Sequence, residues 1–337
     1  MDKGLAVFIL DRVKRFGVLN VLGKGAKYLA RHGLRGLPAL AQVQVEVTTA
    51  CNLKCPDCFK YASPQDEGRN NRNMSVDEFR RIVESLPRTN TLLPQGIGEP
   101  TVHPDLPRLI RIARDTGKFN DIQINSNGLA RPPEYYAELF ESGLTGLQIS
   151  VDSLDQALSD RIRTGTDVKR LRECVASLVK RFPGRVGVRT VVRAENADSI
   201  PGMLEELNSL GPMDVYLQIY VDLGSGAGVV TNARRDSFIR EVRQLEARLS
   251  RLRITTLGIT PSEGVCASPW TSPAITVDGY VTPCCVIWEK DLMNFGNALE
   301  KPFSEVWQSP VAQVFRREIR RHSPGCCADC PYYVFRS

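Results

Sequence analysis

The stretch "EVTTACNLKCPDCF", residues 46–59, places Cys51, Cys55 and Cys58 within eight residues, spaced C-x3-C-x2-C. Thiolates that close together hold a metal or do redox work in a chain without an export signal. A structural zinc site needs four ligands, usually as two knuckles. No fourth ligand lies nearby, since His32, His103 and His322 are remote in sequence. A four-iron cluster held by three cysteines leaves one iron open, which points to catalysis rather than to a structural staple.

Outward from this loop the chain alternates. "VQVEV" (43–47) reads as a strand ending at the cysteine loop. "SVDEFRRIVESL" then opens a helix with a capping box at Ser75 and Glu78 and an apolar face of Phe79, Ile82, Val83 and Leu86,. Further strands fall at about 91–96, 121–125, 146–151, 186–193 and 214–221. Helices fall at 105–116, 133–142, 167–181 and 199–210. Six strands alternating with helices imply a parallel α/β sheet, open or closed into a barrel. "GIGEP" (96–100), "SNG" (126–128) and "SVD" (150–152) all lie at or just past strand C-termini, so they share one rim with the cysteine loop,.

These motifs, in this order, resemble the radical S-adenosylmethionine (SAM) superfamily. The resemblance spans roughly 43–221 and implies a partial (β/α)6 barrel that reductively cleaves SAM to a 5′-deoxyadenosyl radical. It implies that Cys51, Cys55 and Cys58 ligate a [4Fe–4S] cluster whose open iron takes SAM. Gly98 and Glu99 would receive the SAM amino group, Asn127 and Ser150 its ribose or carboxylate, and Arg163 its carboxylate. A flavodoxin or ferredoxin would supply electrons. One position departs from the pattern: the residue before the third cysteine, usually aromatic or hydrophobic and packed near the adenine, is Asp57.

A second cysteine group, Cys266, Cys284, Cys285, Cys326, Cys327 and Cys330, lies near the C-terminus. Its spacing around Gly279 and its C-x2-C clip resemble the auxiliary-cluster extension called SPASM, or the shorter twitch domain. This implies a second [4Fe–4S] cluster on Cys266, Cys284, Cys327 and Cys330, with zinc the other metal that four thiolates suit. Cys285 and Cys326 are left over. Either could replace its neighbour as ligand, and Cys285 is a candidate hydrogen-atom donor to a substrate radical. Cys174 stands alone in a helical pattern and reads as core.

The expected organisation is a helical lead-in over 1–42, the barrel over 43–225, a linker and helix over 226–253, and the small, irregular auxiliary-cluster domain over 254–337. That last domain reads as too thin to fold without a metal staple. In the lead-in, Leu5, Phe8, Ile9, Val13 and Phe16 trace one helix face, and its short apolar run neither targets nor spans a membrane,. "DLGSGAGVV" (222–230) reads as a linker.

The net charge of +6, from 44 basic and 38 acidic residues, is spread along the chain. This disfavours a nucleic-acid partner, and the expected location is the cytoplasm. Arg69, Arg72, Arg163, Arg189 and Arg193 near the rim suit a phosphate-bearing or nucleotide-linked small molecule. Many peptide-modifying relatives carry a longer leader-binding domain than the lead-in here. The sequence therefore favours hydrogen abstraction from a sugar, aminocyclitol or nucleoside-type intermediate of natural-product biosynthesis, by epimerisation, oxidation or C–C coupling. Maturation or epimerisation of a ribosomally synthesised peptide is the alternative.

Overall fold

The computed structural model describes residues 39–58, 60, 71–220, 228–257, 262–263, 266–327, 330 and 333–334. The expected lead-in helix, Arg69 and most of the glycine-rich 222–230 segment lie outside these residues. The chain order is β1 (Leu40–Val45), α1 (Val76–Ser85), β2 (Thr89–Leu93), α2 (Leu106–Asp115), β3 (Phe119–Ser126), α3 (Pro133–Ser142) and β4 (Gly146–Ser150). It continues with α4 (Gln156–Ile162), α5 (Val168–Arg181), β5 (Val186–Val192), α6 (Ile200–Leu210), β6 (Met213–Ile219), α7 (Asn232–Glu246) and β7 (Leu252–Leu257). The C-terminal part holds β8 (Ser262–Glu263), α8 (Ser268–Thr271), β9 (Ala274–Ile275), β10 (Val281–Thr282), α9 (Phe303–Trp307), α10 (Pro310–Glu318) and β11 (Tyr333–Val334).

One nine-stranded sheet runs in the order β10-β9-β1-β2-β3-β4-β5-β6-β7. Its pairs are parallel apart from the β9–β10 hairpin. It is an open, mostly parallel α/β sheet, a partial barrel. Alternation within β1 explains how it is seated: Val43, Val45 and Val47 are fully buried under the helices. Gln42, Gln44 and Glu46, of opposite parity, share the other face. The α1 capping box is present, with Glu78 N–H donating to Ser75 Oγ at 3.2 Å and Ser75 N–H to Glu78 Oε2 at 2.7 Å.

Three features differ from the sequence reading. β2 stops at Leu93 rather than about 96, because Pro94 has no N–H to give the ladder. The sheet gains a seventh parallel strand, β7, paired with β6 from Met213↔Leu252 to Gln218↔Leu257. The sequence from about 254 reads as irregular, because the run "RITTL" is short and precedes Pro- and Cys-rich sequence. The C-terminal part also contributes an aromatic cluster to the hydrophobic core it shares with the barrel. Phe295 lies 5.6 Å from both Trp307 and Phe315, and Phe303 stacks on Trp307 at 5.5 Å. The aromatics are too widely spaced in sequence to register as a pattern. Parallel pairing of β9 with β1, Gln44↔Ala274 and Val45↔Ile275, docks this part on the barrel sheet.

Candidate functional site

Each βα unit delivers one loop to the C-terminal rim, and the loops close round a cavity of about 400 Å³. Cys51, Cys55, Cys58, Gly98, Glu99, Asn127, Ser150, Arg163 and Cys285 all line it. Segments scattered over more than two hundred positions are thus brought to one mouth.

The cysteine loop is pinned from below. Leu53 N–H donates to Cys51 Sγ at 3.4 Å, Cys58 N–H to the Cys55 carbonyl at 3.2 Å, and Lys54 N–H to the Thr164 carbonyl at 3.2 Å. Burial raises the Cys51 thiol and pushes that of Cys55 up to about 11, although the Arg163 guanidinium pulls Cys55 the other way. Such thiols become thiolates by binding metal.

Gly98, which lines the cavity, is also required by the chain's own packing. A Cβ there would stand 2.3 Å from the Thr48 carbonyl oxygen and 2.7 Å from that of Ala50, so the close neighbour is the chain's own backbone. Glu99, 4% exposed, has a carboxylate that organises the rim. Its Oε1 accepts from Thr101 N–H (3.0 Å), Thr101 Oγ1 (2.6 Å) and Ser126 Oγ (2.8 Å), and its Oε2 accepts from Asn127 N–H (2.7 Å). Asn127 in turn donates from Nδ2 to Asn52 Oδ1 at 2.8 Å, tying the end of β3 to the cysteine loop.

Arg163 Nη1 donates to Asp152 Oδ2 at 2.9 Å, while Asp152 Oδ1 accepts from Val191 N–H at 2.7 Å. The Nε of Arg163 is buried with no partner among the described residues. Arg193 pairs with Asp57 and, at 3.4 Å, with Glu195, and lies over the Tyr220 ring at 4.5 Å. Arg72 pairs with Glu78 at 2.9 Å. Arg189 Nη1 donates to Gln218 Oε1 at 3.2 Å. Arg163, Arg193 and Arg72, expected to face phosphate, are therefore ion-paired within the chain.

In the C-terminal part the Cys284 thiol feels that of Cys266, and the Cys327 thiol feels those of Cys284 and Cys330. Burial first, then Cys285 and Cys266, raises Cys284. Hydrogen bonding to Cys326 first, then burial and the charges of Cys326, Cys284 and Cys330, raises Cys327. Cys326 contacts Cys327 at 3.9 Å. Cys285 lines the main cavity beside Val286, while its thiol still feels the charge of Cys330. Burial raises its thiol, against hydrogen bonds that include the Gln44 side chain.

The sequence reading missed Glu46, Asp152 as the partner of Arg163, Ser126, and the pairing of Asp57. Only Glu46 carried a signal, as a lone charge in an apolar strand.

Residues 45–207 match the radical SAM superfamily, and residues 266–331 match SPASM, an iron-sulfur cluster-binding domain. The chain carries a radical SAM domain followed by a SPASM domain. It is similar to the tungsten-containing aldehyde ferredoxin oxidoreductase cofactor-modifying protein of Pyrococcus furiosus, at 27% identity over 318 residues, 85% of this chain and 86% of that one. It is also similar to the PqqA peptide cyclase of Xanthomonas axonopodis pv. citri, at 25% identity over 308 residues, 87% of this chain and 81% of that one. In fold it resembles Streptococcus suis SuiB bound to SAM, with a TM-score of 0.69 and 17% identity over 99% of this chain and 87% of that one.

The radical SAM and SPASM domains imply one [4Fe–4S] cluster with SAM and one auxiliary cluster. The residues fit. Three half-buried thiols line a cavity of the size that takes small ligands, and Arg163, whose buried Nε has no partner among the described residues, lines the same cavity,. Among the described residues no helix is long and apolar enough to cross a membrane.

Proposed function

We propose that this radical SAM enzyme modifies a ribosomally synthesised peptide. With cluster and SAM bound, the site supplies a 5′-deoxyadenosyl radical that removes a hydrogen atom from the substrate. Cys51, Cys55 and Cys58 hold the cluster. The 96–99 loop, ordered through the Glu99 carboxylate, positions the SAM amino group. Asn127 and Ser150 border the ribose, and Arg163, steadied by Asp152, offers its remaining N–H groups to the SAM carboxylate.

The observation that carries the substrate reading is the neutralisation of the cavity's cations. The arginines lining it, Arg163 and Arg193, are bound by Asp152 and by Asp57 with Glu195. The remaining polar lining includes the amides and hydroxyls of Gln95, Asn125, Ser126, Ser150 and Gln218. Such a surface suits an uncharged amide-bearing chain better than a phosphate. Relatives named PqqA peptide cyclase, matched over most of the chain, support the same reading. The sugar, aminocyclitol or nucleoside substrate favoured by sequence has weaker support, because Arg72, Arg163, Arg189 and Arg193, invoked for it, are engaged within the chain.

Within this reading Cys285 returns a hydrogen atom. The substrate carbon radical takes hydrogen from the thiol, and the resulting thiyl radical is reduced by one electron and one proton through the external electron donor. The test is anaerobic turnover in D2O of the reconstituted protein with short peptides encoded beside its gene, and separately with nucleosides and phosphorylated sugars. Deuterium in an otherwise unchanged peptide, lost in C285A, is the expected result. A peptide that has lost a hydrogen pair overturns the role of Cys285. Turnover of the nucleosides or sugars alone overturns the peptide reading.

A further inference from the structure

Glu46 lies immediately beyond β1 and is fully buried. Its Oε1 accepts from Ile97 N–H at 3.1 Å, and its Oε2 accepts from Val277 N–H at 3.0 Å. Ile97 belongs to the 96–99 loop. Val277 belongs to the turn between β9 and β10, whose second strand leads to Cys284 and Cys285. One carboxylate therefore spans two loops that are 180 positions apart in sequence and that serve different domains. The contact is built for. A Cβ on Gly96 would stand 2.4 Å from Glu46 Cγ and 2.6 Å from its Oε1, so only glycine lets the loop close over this side chain. The backbone of Glu46 is fixed as well, its N–H donating to the Ile275 carbonyl at 2.8 Å.

We infer that Glu46 is a positioning residue that couples the auxiliary-domain hairpin to the loop carrying Glu99. Burying an ionised carboxylate is costly unless donors meet it, and charge-assisted bonds to N–H groups are the stronger kind. Two loops that share such an acceptor each keep it satisfied for the other. Displacing the hairpin leaves Oε2 without Val277 N–H, and the carboxylate can then swing away from Ile97. The 96–99 loop thus adopts its geometry when the hairpin is in place, and the hairpin is in place when the loop is. This rests on the reading of that loop as the SAM-binding one, but only for its functional consequence.

The test measures amide hydrogen exchange of the 95–99 and 275–279 segments, together with SAM affinity and iron content, in the wild type, E46Q, V277P and the double variant. E46Q keeps the shape but turns an amide NH2 toward one of the two N–H donors. Exchange should quicken in both segments of E46Q, and SAM should bind at least about fivefold more weakly, the loss expected for one unsatisfied buried donor. Iron content should hold. V277P, which removes only the hairpin donor, should quicken exchange at 95–99, and the double variant should be no worse than E46Q alone. If V277P does not fold, E46Q decides alone. Faster exchange confined to one of the two segments, or in neither, overturns the coupling. A wild-type protein that binds no SAM overturns the reading of the loop, and the coupling is then judged by exchange only.

Discussion

Asp57 and Arg193 form an ion pair that joins the cysteine loop to the end of β5 across 136 positions of sequence. Arg193 keeps 8% of its side chain exposed and Asp57 23%. The guanidinium lies over Tyr220 and leans on Gly228, where a Cβ would come 2.7 Å from Nη2. The position that the family fills with an aromatic or hydrophobic residue here anchors the loop by charge, one residue before Cys58. Substituting Asp57→Asn leaves a buried cation with only the longer Glu195 contact. It should cost about 2 kcal/mol, below the range for fully buried pairs because Asp57 is partly solvated. Thermal unfolding of the apo protein checks this, and iron should leave the reconstituted variant faster on gel filtration. The double variant D57N/R193M should recover part of the loss, since removing both charges leaves none buried and unpaired.

Gly98 and Gly96 differ in what a methyl group would strike. At Gly98 the obstacles are the Thr48 and Ala50 carbonyls, which belong to the backbone leading into the cysteine loop; at Gly96 the obstacle is the Glu46 side chain. Backbone cannot step aside, whereas a side chain can shift at some cost. G98A should therefore lower the melting temperature more than G96A, and cluster reconstitution should fail more often in G98A. Equal effects would indicate that the Glu46 side chain is as immovable as the backbone.

Much of this fold follows from period alone. The alternation in β1 and the capped amphipathic helix α1 are local signals, and the structure keeps both. The convergence of Cys51, Glu99, Asn127, Ser150 and Arg163 on one cavity follows from parallel topology, which sends every strand's C-terminus to the same rim,. What escaped the sequence is pairing at long range. Nothing near Arg163 in sequence announces Asp152 as its partner, nor does anything near Arg193 announce Asp57. Arginines on a rim read as ligands for anions until the anions inside the chain are located. β7 escaped for a different reason. Its six residues carry mixed polar and β-branched character that becomes a strand only because β6 offers it an edge.

The two vicinal cysteines near the C-terminus are not equivalent. The thiol of Cys327 feels those of Cys284 and Cys330, whereas Cys326 feels Glu318 and is lowered chiefly by its hydrogen bond with Cys327. Cys327 is buried and its N–H donates to the Pro324 carbonyl at 2.8 Å, while Cys330 N–H donates to the Cys327 carbonyl at 3.1 Å. That short turn gives the C-x2-C clip its geometry. C327A should lose the auxiliary cluster, seen as about half the iron and sulfide of the wild type after reconstitution. C326A should keep both clusters. Retention of full iron content in C327A and loss in C326A would exchange their assignments.

His103 ties the loop behind Glu99 to the strand-to-helix connection before α1. It is buried, its Nε2 lies 2.8 Å from the Met74 carbonyl, and its Nδ1 accepts from Asp105 N–H at 3.0 Å. An imidazole that donates from Nε2 and accepts at Nδ1 is neutral. Burial, the largest influence, lowers its pKa from the ordinary 6.5, against the Met74 contact and the charge of Asp105. In the unfolded chain the same ring takes up a proton as the pH falls through 6.5, while in the folded chain it stays neutral to lower pH. Stability from this group is therefore complete above 6.5 and declines as the pH drops below it, until the folded ring protonates too. Protonation also turns Nδ1 into a donor facing the Asp105 N–H, so the loop after Glu99 should loosen in acid. Chemical denaturation between pH 8 and 5 should show this decline in the wild type. H103Q, which cannot titrate, should be less stable throughout and should lose that part of the slope; an unchanged slope in H103Q would assign the acid sensitivity to other groups.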